Sequence, residues 1–536
     1  MLRLTELSLP IDHADEALRP AILKRLGLKD VELLDVQLFK RSYDARKKSV
    51  ELCFVYTLDL VVADEARVLA RFADDRNVNV APDTGYHFVT TTPPVIAHRP
   101  LIVGFGPCGI FAALVLAQMG FRPIVLERGT AVRERTRDTW ALWRKNILNP
   151  ESNVQFGEGG AGTFSDGKLY SQIKDPRYLG RKVLHEFVKA GAPEEILYVS
   201  KPHVGTFRLA SMVEKMRAEI IALGGEIRFQ QRVTDVLIED SHIRGVTLAS
   251  GEQIRSDHVV LALGHSARDT FRMLHARGVF MEAKPFSLGF RVEHPQSLID
   301  RARLGKFAGH PKLGAADYKL VHHARNGRSV YSFCMCPGGT VVAATSEENR
   351  VVTNGMSQYS RNERNANAGI VVGITPADYP GGPLAGLALQ EHWESRAFVL
   401  GGGSYEAPAQ LVGDFIAGRA STALGSVLPS YKPGVKLGSL DSALPDYAIE
   451  AIREALPAFE KQIRGFALHD AVLTGVETRT SAPLRITRGD DLQSLNIKGL
   501  YPAGEGAGYA GGILSAGVDG IRVAEALARQ VAGATA

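Results

Sequence analysis

Gly104, Gly106 and Gly109 lie between the apolar run Leu101-Ile102-Val103 and the apolar stretch Ile110–Met119. That pattern suits a strand, a tight turn and a helix. The first glycine permits the turn, the second lets the backbone approach a pyrophosphate, and the third lets the helix pack close to the strand. Pro107 and Cys108 fall where the helix begins, and free N–H groups and the helix dipole there favour phosphate. The next apolar run, Pro123–Leu126, ends at Glu127 and Arg128. A carboxylate about 20 residues past the glycines can accept both ribose hydroxyls and would repel a 2′-phosphate, which disfavours NADP here. We count Arg128 beside it among the cofactor-contacting residues.

Three further segments are built for close backbone approach. Between Gly157 and Leu169 lie five glycines among small hydroxyl and acidic residues, with Gly159, Gly160, Gly162, Thr163 and Lys168 as candidate contacts. Such a loop presents N–H groups to an anion or a ring edge. The run His258–Leu263 reads as a buried strand leading to Gly264, with Val233 upstream in a strand at the adenine edge. Near the C-terminus, Gly499–Ile513 carries Gly504, Glu505, Gly511, Gly512 and Ile513 ahead of an amphipathic helix over 518–530.

Reaction-side candidates are fewer. Arg291 could hold a substrate carboxylate and His294 could donate a proton. If extended, Arg291 shares a face with Glu293 and His294 points the other way. Either residue also fits a structural role, as an ion pair or a satisfied histidine. Lys201 and His203 face the cofactor or cap a helix. Asp166 and Lys168 contact the cofactor or each other. Glu477 and Arg479 read as a structural pair or a cofactor contact. Cys334 and Cys336 form a CxC, readable as a redox dithiol or as two reduced thiols sharing one strand face. The segment Leu400–Pro408 is glycine-rich but has no second GxGxxG, so no dedicated NAD(P)H domain is expected.

These residues need a scaffold. The chain has 536 residues, 45% hydrophobic and 23% charged, with 54 glycines and a net charge of +5. That is the balance of a soluble globular protein, and so mild a charge is weak ground for a nucleic-acid partner. Four cysteines in no zinc spacing imply neither a disulfide framework nor a zinc site. No apolar run reaches membrane-spanning length and the N-terminus has no signal core, so a cytoplasmic location is expected. Residues 1–95 read β-α-β-β-α-β, a ferredoxin-like α+β unit with a register slip between Leu4 and Leu7 and a basic turn at Arg46, Lys47 and Lys48. From 96 the pattern is α/β. The expected arrangement is a discontinuous Rossmann-type domain over 96–285 and 465–536, with an inserted α+β substrate domain over 286–464.

Taken together, the glycine motifs resemble the glutathione-reductase-like superfamily of FAD proteins. With Lys201–Thr206, Pro285–Pro295, Cys334–Gly339, Ala407–Gln410 and Thr474–Pro483, almost the whole chain resembles bacterial FAD-dependent dehydrogenases, often labelled NAD(FAD)-utilising, which have few assigned substrates. The resemblance implies FAD, closed over by the Gly264 turn, with the helix after Gly512 aimed at the N1–C2=O edge of the flavin. It implies an FAD-dependent oxidoreductase passing hydride between flavin N5 and a small organic substrate, with NAD(P)H bound at most transiently. A flavin monooxygenase and an RNA-binding, tRNA-modifying flavoprotein, with Arg41 and the basic turn as its module, are the alternatives.

Overall fold

A computed structural model describes residues 1–44, 52–91, 93 and 95–533. The first sheet has four antiparallel strands, ordered Leu33–Asp44, Cys53–Val62, Leu2–Pro10 and Val78–Val80. Helices Leu18–Leu26 and Glu65–Arg71 connect its strands. This is the strand order of a split βαβ unit. A register shift falls between Leu4 and Leu7, where apolar alternation slips. Pro20 sits in the first turn of its helix, where a missing N–H costs nothing, and Gly27 ends that helix in the left-handed region. Leu2, Leu4, Ile22, Leu26, Leu58 and Val68 fill the core between sheet and helices. The basic turn at Arg46, Lys47 and Lys48 lies outside the described residues.

Five parallel strands form the second layer, ordered Leu500–Pro502, Val259–Leu261, Leu101–Val103, Ile124–Leu126 and Glu226–Arg228. The first four are buried throughout, as continuous apolar runs must be when helices cover a parallel sheet. Helices Pro107–Gln118 and Ile513–Ala532, distant in sequence, pack together beside this sheet. Their approach needs Gly520, where a Cβ would sit 2.3 Å from the Cys108 carbonyl oxygen. A three-stranded antiparallel sheet, Val233–Glu239, His242–Leu248 and Gln253–Arg255, lies in the chain between Glu226–Arg228 and Val259–Leu261.

A seven-stranded sheet makes up most of the remainder. Its order is Val321–His323, Ser329–Cys336, Asn365–Ile374, Phe286–Pro295, Val472–Glu477, Ala407–Leu411 and Val435–Leu437. One boundary differs from expectation. Val472–Glu477, placed by sequence in the returning Rossmann segment from 465, pairs with Phe286–Pro295 and Ala407–Leu411 inside this sheet. A short buried apolar strand has no signature saying which of two sheets it joins, and the chain returns only with Leu484–Ile486, paired to Met281–Ala283. Among the described residues, no helix is long and apolar enough to cross a membrane.

The N-terminal sheet is tied to the rest through backbone. Arg41 N–H donates to the Tyr198 carbonyl at 2.6 Å, and Ser200 N–H donates to the Arg41 carbonyl at 2.9 Å. The Arg41 guanidinium lies over the Phe54 and Tyr198 rings.

Candidate functional site

A cavity of about 380 Å³ opens where the parallel sheet meets the seven-stranded sheet. The first glycine loop forms one wall. Gly104 has φ +102°, and a Cβ there would lie 2.5 Å from the Ala262 carbonyl oxygen; a Cβ on Gly109 would lie 2.0 Å from the Gly104 carbonyl oxygen. These two glycines are required by the turn and by the packing of helix on strand. Gly106 differs, because a Cβ there would meet nothing closer than 3.6 Å. Its open side is the cavity, which Gly106, Pro107 and Cys108 line while Gly109 packs behind.

Glu127 ends the neighbouring strand and also lines the cavity. Its buried carboxylate accepts backbone N–H bonds from Phe105, Gly129 and Gly157, each at 2.9 Å. About four lone-pair positions are available on a carboxylate, so it keeps capacity for a hydroxyl while also pinning three loops together. Arg128 is held by Glu151 and Asp269 and stacks over Phe156 at 4.0 Å. Val233 and Gly264 complete this part of the wall.

The loop over 153–168 is fixed from behind by Arg135, which is fully buried. Its guanidinium donates to the carbonyls of Asn153, Val154 and Glu158 at 2.7–2.8 Å. Burial holds its pKa down, at about 10, so it remains charged at neutral pH. Sequence reading missed Arg135, because an arginine in an amphipathic helix normally reads as surface. With the loop so braced, Gly160 and Gly162 line the cavity, while Gly159 and Thr163 turn away and pack against each other.

The remaining wall holds the ionisable groups. Lys168 donates to the Met335 carbonyl and lies 3.9 Å from Asp166. Burial would lower its pKa, but Cys334, Cys336 and Asp166 outweigh burial and keep the ammonium charged. Asp166 forms an ion pair with Arg361, a residue without any sequence signal; Arg361 and Lys168 hold the Asp166 carboxyl down against burial. Glu505 also lines the cavity, and burial pushes its pKa up to about 7 despite Lys284. Gly511, Gly512 and Ile513 follow, while Gly504 packs on Cys108. His265 faces the cavity with a ring kept neutral by burial and by Arg479 and Arg268, its pKa lowered to about 3.

Arg291, His294, Lys201 and His203 do not line the cavity. Arg291 is fully buried behind the wall and spends its guanidinium on Glu477, Asn354, Asn367 and the Cys334 carbonyl. His294 points to the opposite face of its strand, bonds the Phe466 carbonyl at 2.7 Å and is fully buried. Strand alternation separates the two, so the expected proton donor is a core histidine. Lys201 is exposed and paired with Asp317 at 2.7 Å. His203 stacks on Tyr359 and bonds the Tyr359 carbonyl at 3.0 Å. Glu477 and Arg479, by contrast, both reach the wall.

Residues 285–480 match a family model described as FAD-dependent protein, C-terminal domain-like, and residues 173–369 match one described as FAD dependent oxidoreductase. A domain of unknown function is matched over residues 1–61. The protein is an FAD-dependent oxidoreductase. The chain belongs to the same family as an uncharacterised protein from Clostridium beijerinckii, to which it is 48% identical over 526 residues, 98% of each chain. Among solved structures it is similar to glycine oxidase from Bacillus cereus (11% identity, 82% of this chain and 98% of that, TM-score 0.32). L-proline dehydrogenase from P. horikoshii is also similar (12% identity, 82% and 94%, TM-score 0.33).

The cavity fits FAD by its own geometry. The helices beginning at Pro107 and Ile513 both start on its wall, and neither is capped by a side chain. Gly511 and Gly512 have no atom within 4 Å of where a Cβ would be, so side chains there would fill the cavity instead of meeting protein.

Proposed function

We propose that this cavity holds FAD along the glutathione-reductase-like plan and that the protein passes hydride between flavin N5 and a small organic substrate. The observation that carries the reading is that two uncapped helix N-termini open on one cavity, with Glu127 and Arg128 on one part of its wall and Lys168 and Glu505 on another. In this reading Gly104–Gly109 and the helix at Pro107 take the diphosphate, Glu127 takes a ribose hydroxyl, and Val233 and Gly264 border the adenosine. Gly160, Gly162, Lys168 and Gly511–Ile513 border the flavin ring.

Bound FAD supplies the two-electron chemistry, and the protein supplies orientation and electrostatics. The helix end at Ile513 and the Lys168 ammonium put positive potential where reduction places negative charge. Glu505, poised near neutrality, can take or give the proton that accompanies hydride transfer. Residues 96–285 with the returning C-terminal segment would form the cofactor half, and the seven-stranded sheet the substrate half. A nicotinamide donor would dock transiently.

Anaerobic addition of NADH, NADPH and a panel of metabolites to the flavin-loaded protein tests this. One compound should bleach the flavin, with a slower rate when its transferred hydrogen is deuterium. Oxygen consumption strictly dependent on an added acceptor that becomes hydroxylated would replace this reading with a monooxygenase.

A further inference from the structure

Two cysteines stand where the proposed reaction has no use for them. Cys334 lines the cavity together with Lys168, Glu477 and Glu505. Its backbone lies in the left-handed region at φ +43°, which a side-chain-bearing residue rarely adopts. Such outliers gather at functional sites, where surrounding structure holds them in place. Here the holding contacts are explicit. Arg291 donates to the Cys334 carbonyl at 2.8 Å, Lys168 donates to the next carbonyl, and the register with Asn365–Ile374 shifts between Phe333 and Cys336. Simple strand alternation therefore does not set where these thiols point.

Cys336 is buried directly behind. Its thiol donates to the Cys334 carbonyl at 3.3 Å, and a Cβ on Gly355 would come within 2.8 Å of its sulfur. The pair thus has one sulfur at the cavity and one in reserve. A side-chain contact from Cys336 to the Cys334 sulfur, with Lys168 and Arg291 acting against burial, pulls the Cys334 thiol well below its ordinary range, and Cys336 is pushed up. Cys108, also on the wall, is pushed up by burial and Asp519. Unlike Cys108, the Cys334–Cys336 pair combines a nucleophilic sulfur, a neighbouring thiol and fixed positive charge.

We infer that Cys334 and Cys336 form a dithiol–disulfide couple that exchanges an electron pair with the flavin held in this cavity. The inference rests on the reading that the flavin ring lies beside Lys168. In the oxidative direction, the Cys334 thiolate and Cys336 thiol are joined by a new sulfur–sulfur bond. The Cys336 S–H bond breaks, its proton passes to the flavin, and two electrons reduce the flavin to its anionic two-electron form. Charge and hydrogen balance without another reactant. Lys168 and Arg291 stabilise the thiolate that must be present to start the step. The substrate class implied is a thiol or disulfide compound that meets Cys334 from the cavity.

Anaerobic dithionite titration of the disulfide-form, flavin-loaded protein reads this directly. Wild type should take up twice the reducing equivalents that its flavin alone requires, whereas Cys334→Ser, Cys336→Ser and the double variant should take up the flavin's share only. Differential alkylation followed by peptide mass spectrometry should find Cys334 and Cys336 joined before reduction and both alkylated after it. Flavin absorbance reports folding and cofactor loading in each variant, so loss of flavin would count against the cofactor reading and not against the couple. Wild type that takes up only the flavin's share, with both cysteines alkylated in the oxidised protein, overturns the inference. If a serine variant fails to fold, wild-type stoichiometry and alkylation still decide.

Discussion

Arg291, behind the cavity wall, and Glu477, on it, meet at two points, Nε to Oε2 at 2.5 Å and Nη2 to Oε1 at 2.9 Å. Burial lifts the Glu477 carboxyl even against Arg291, while Glu477 outweighs burial at Arg291, so the guanidinium keeps its charge and relies on Glu477 as its partner. Glu477→Gln should leave Arg291 buried and uncompensated. We expect a loss of about 3–5 kcal/mol of stability, read by thermal or urea denaturation. A loss of substrate affinity with unchanged stability would instead restore Arg291 as a substrate contact.

Glycines around the cavity should separate into two kinds. Gly109→Ala places a Cβ 2.0 Å from a carbonyl oxygen and should prevent folding of the parallel unit. Gly264→Ala and Gly511→Ala meet no protein atom within 4 Å and should leave the fold intact while weakening FAD binding about tenfold or more. Circular dichroism and flavin titration distinguish the outcomes. Equal flavin affinity in wild type and Gly511→Ala would place the ring elsewhere.

Glu505 predicts a pH limb. Its pKa is raised from 4.5 to about 7, so the folded protein retains a proton that the unfolded chain releases. Its contribution to stability is therefore most favourable below about 4.5 and is lost as pH rises through about 7. Glu505→Gln should flatten stability across that window. It should also remove an ionisation near 7 from the rate profile of flavin reduction, measured by stopped flow. An unchanged profile in the variant would rule Glu505 out as the proton carrier.

Glu394 is fully buried and bonds Arg268 at 2.7 Å and Arg479 at 2.8 Å. Burial acts to raise its carboxyl, but the two guanidiniums hold it far below the usual carboxylate range. It clips the helix Arg268–Ala276 to the helix Ala385–Leu400. Glu394→Gln should cost about 3–5 kcal/mol in a denaturation experiment. It should loosen the cavity wall at Arg479, seen as faster exchange of bound flavin. Wild-type stability in that variant would show the cluster to be dispensable.

Legibility followed locality. The turn at Gly104–Gly109, the strand ending at Glu127 and the register slip at Leu4–Leu7 were readable because each is decided by neighbouring residues. The sheet that Val472–Glu477 joins is not legible, because sheet membership is decided by partners far along the chain. Arg135 and Arg361 were invisible for a related reason: each is defined by what folds around it. Arg291 and His294 were legible as a face-opposed pair, but which face meets the cavity depends on the neighbouring strands. The CxC spacing was plain, whereas the left-handed backbone at Cys334 was not.

The backbone bridge from Arg41 to Tyr198 and Ser200 has a practical consequence for truncation. Trimming the chain to start near residue 96 would strip a β-type partner from the stretch that leads into Lys201–Thr206, the segment bonded to Lys168 through an isolated bridge with His203. Unpaired N–H and C=O groups left there are a template for intermolecular pairing. The shortened protein should be more prone to associate at that newly bared edge, which size-exclusion chromatography of the full and trimmed chains would show.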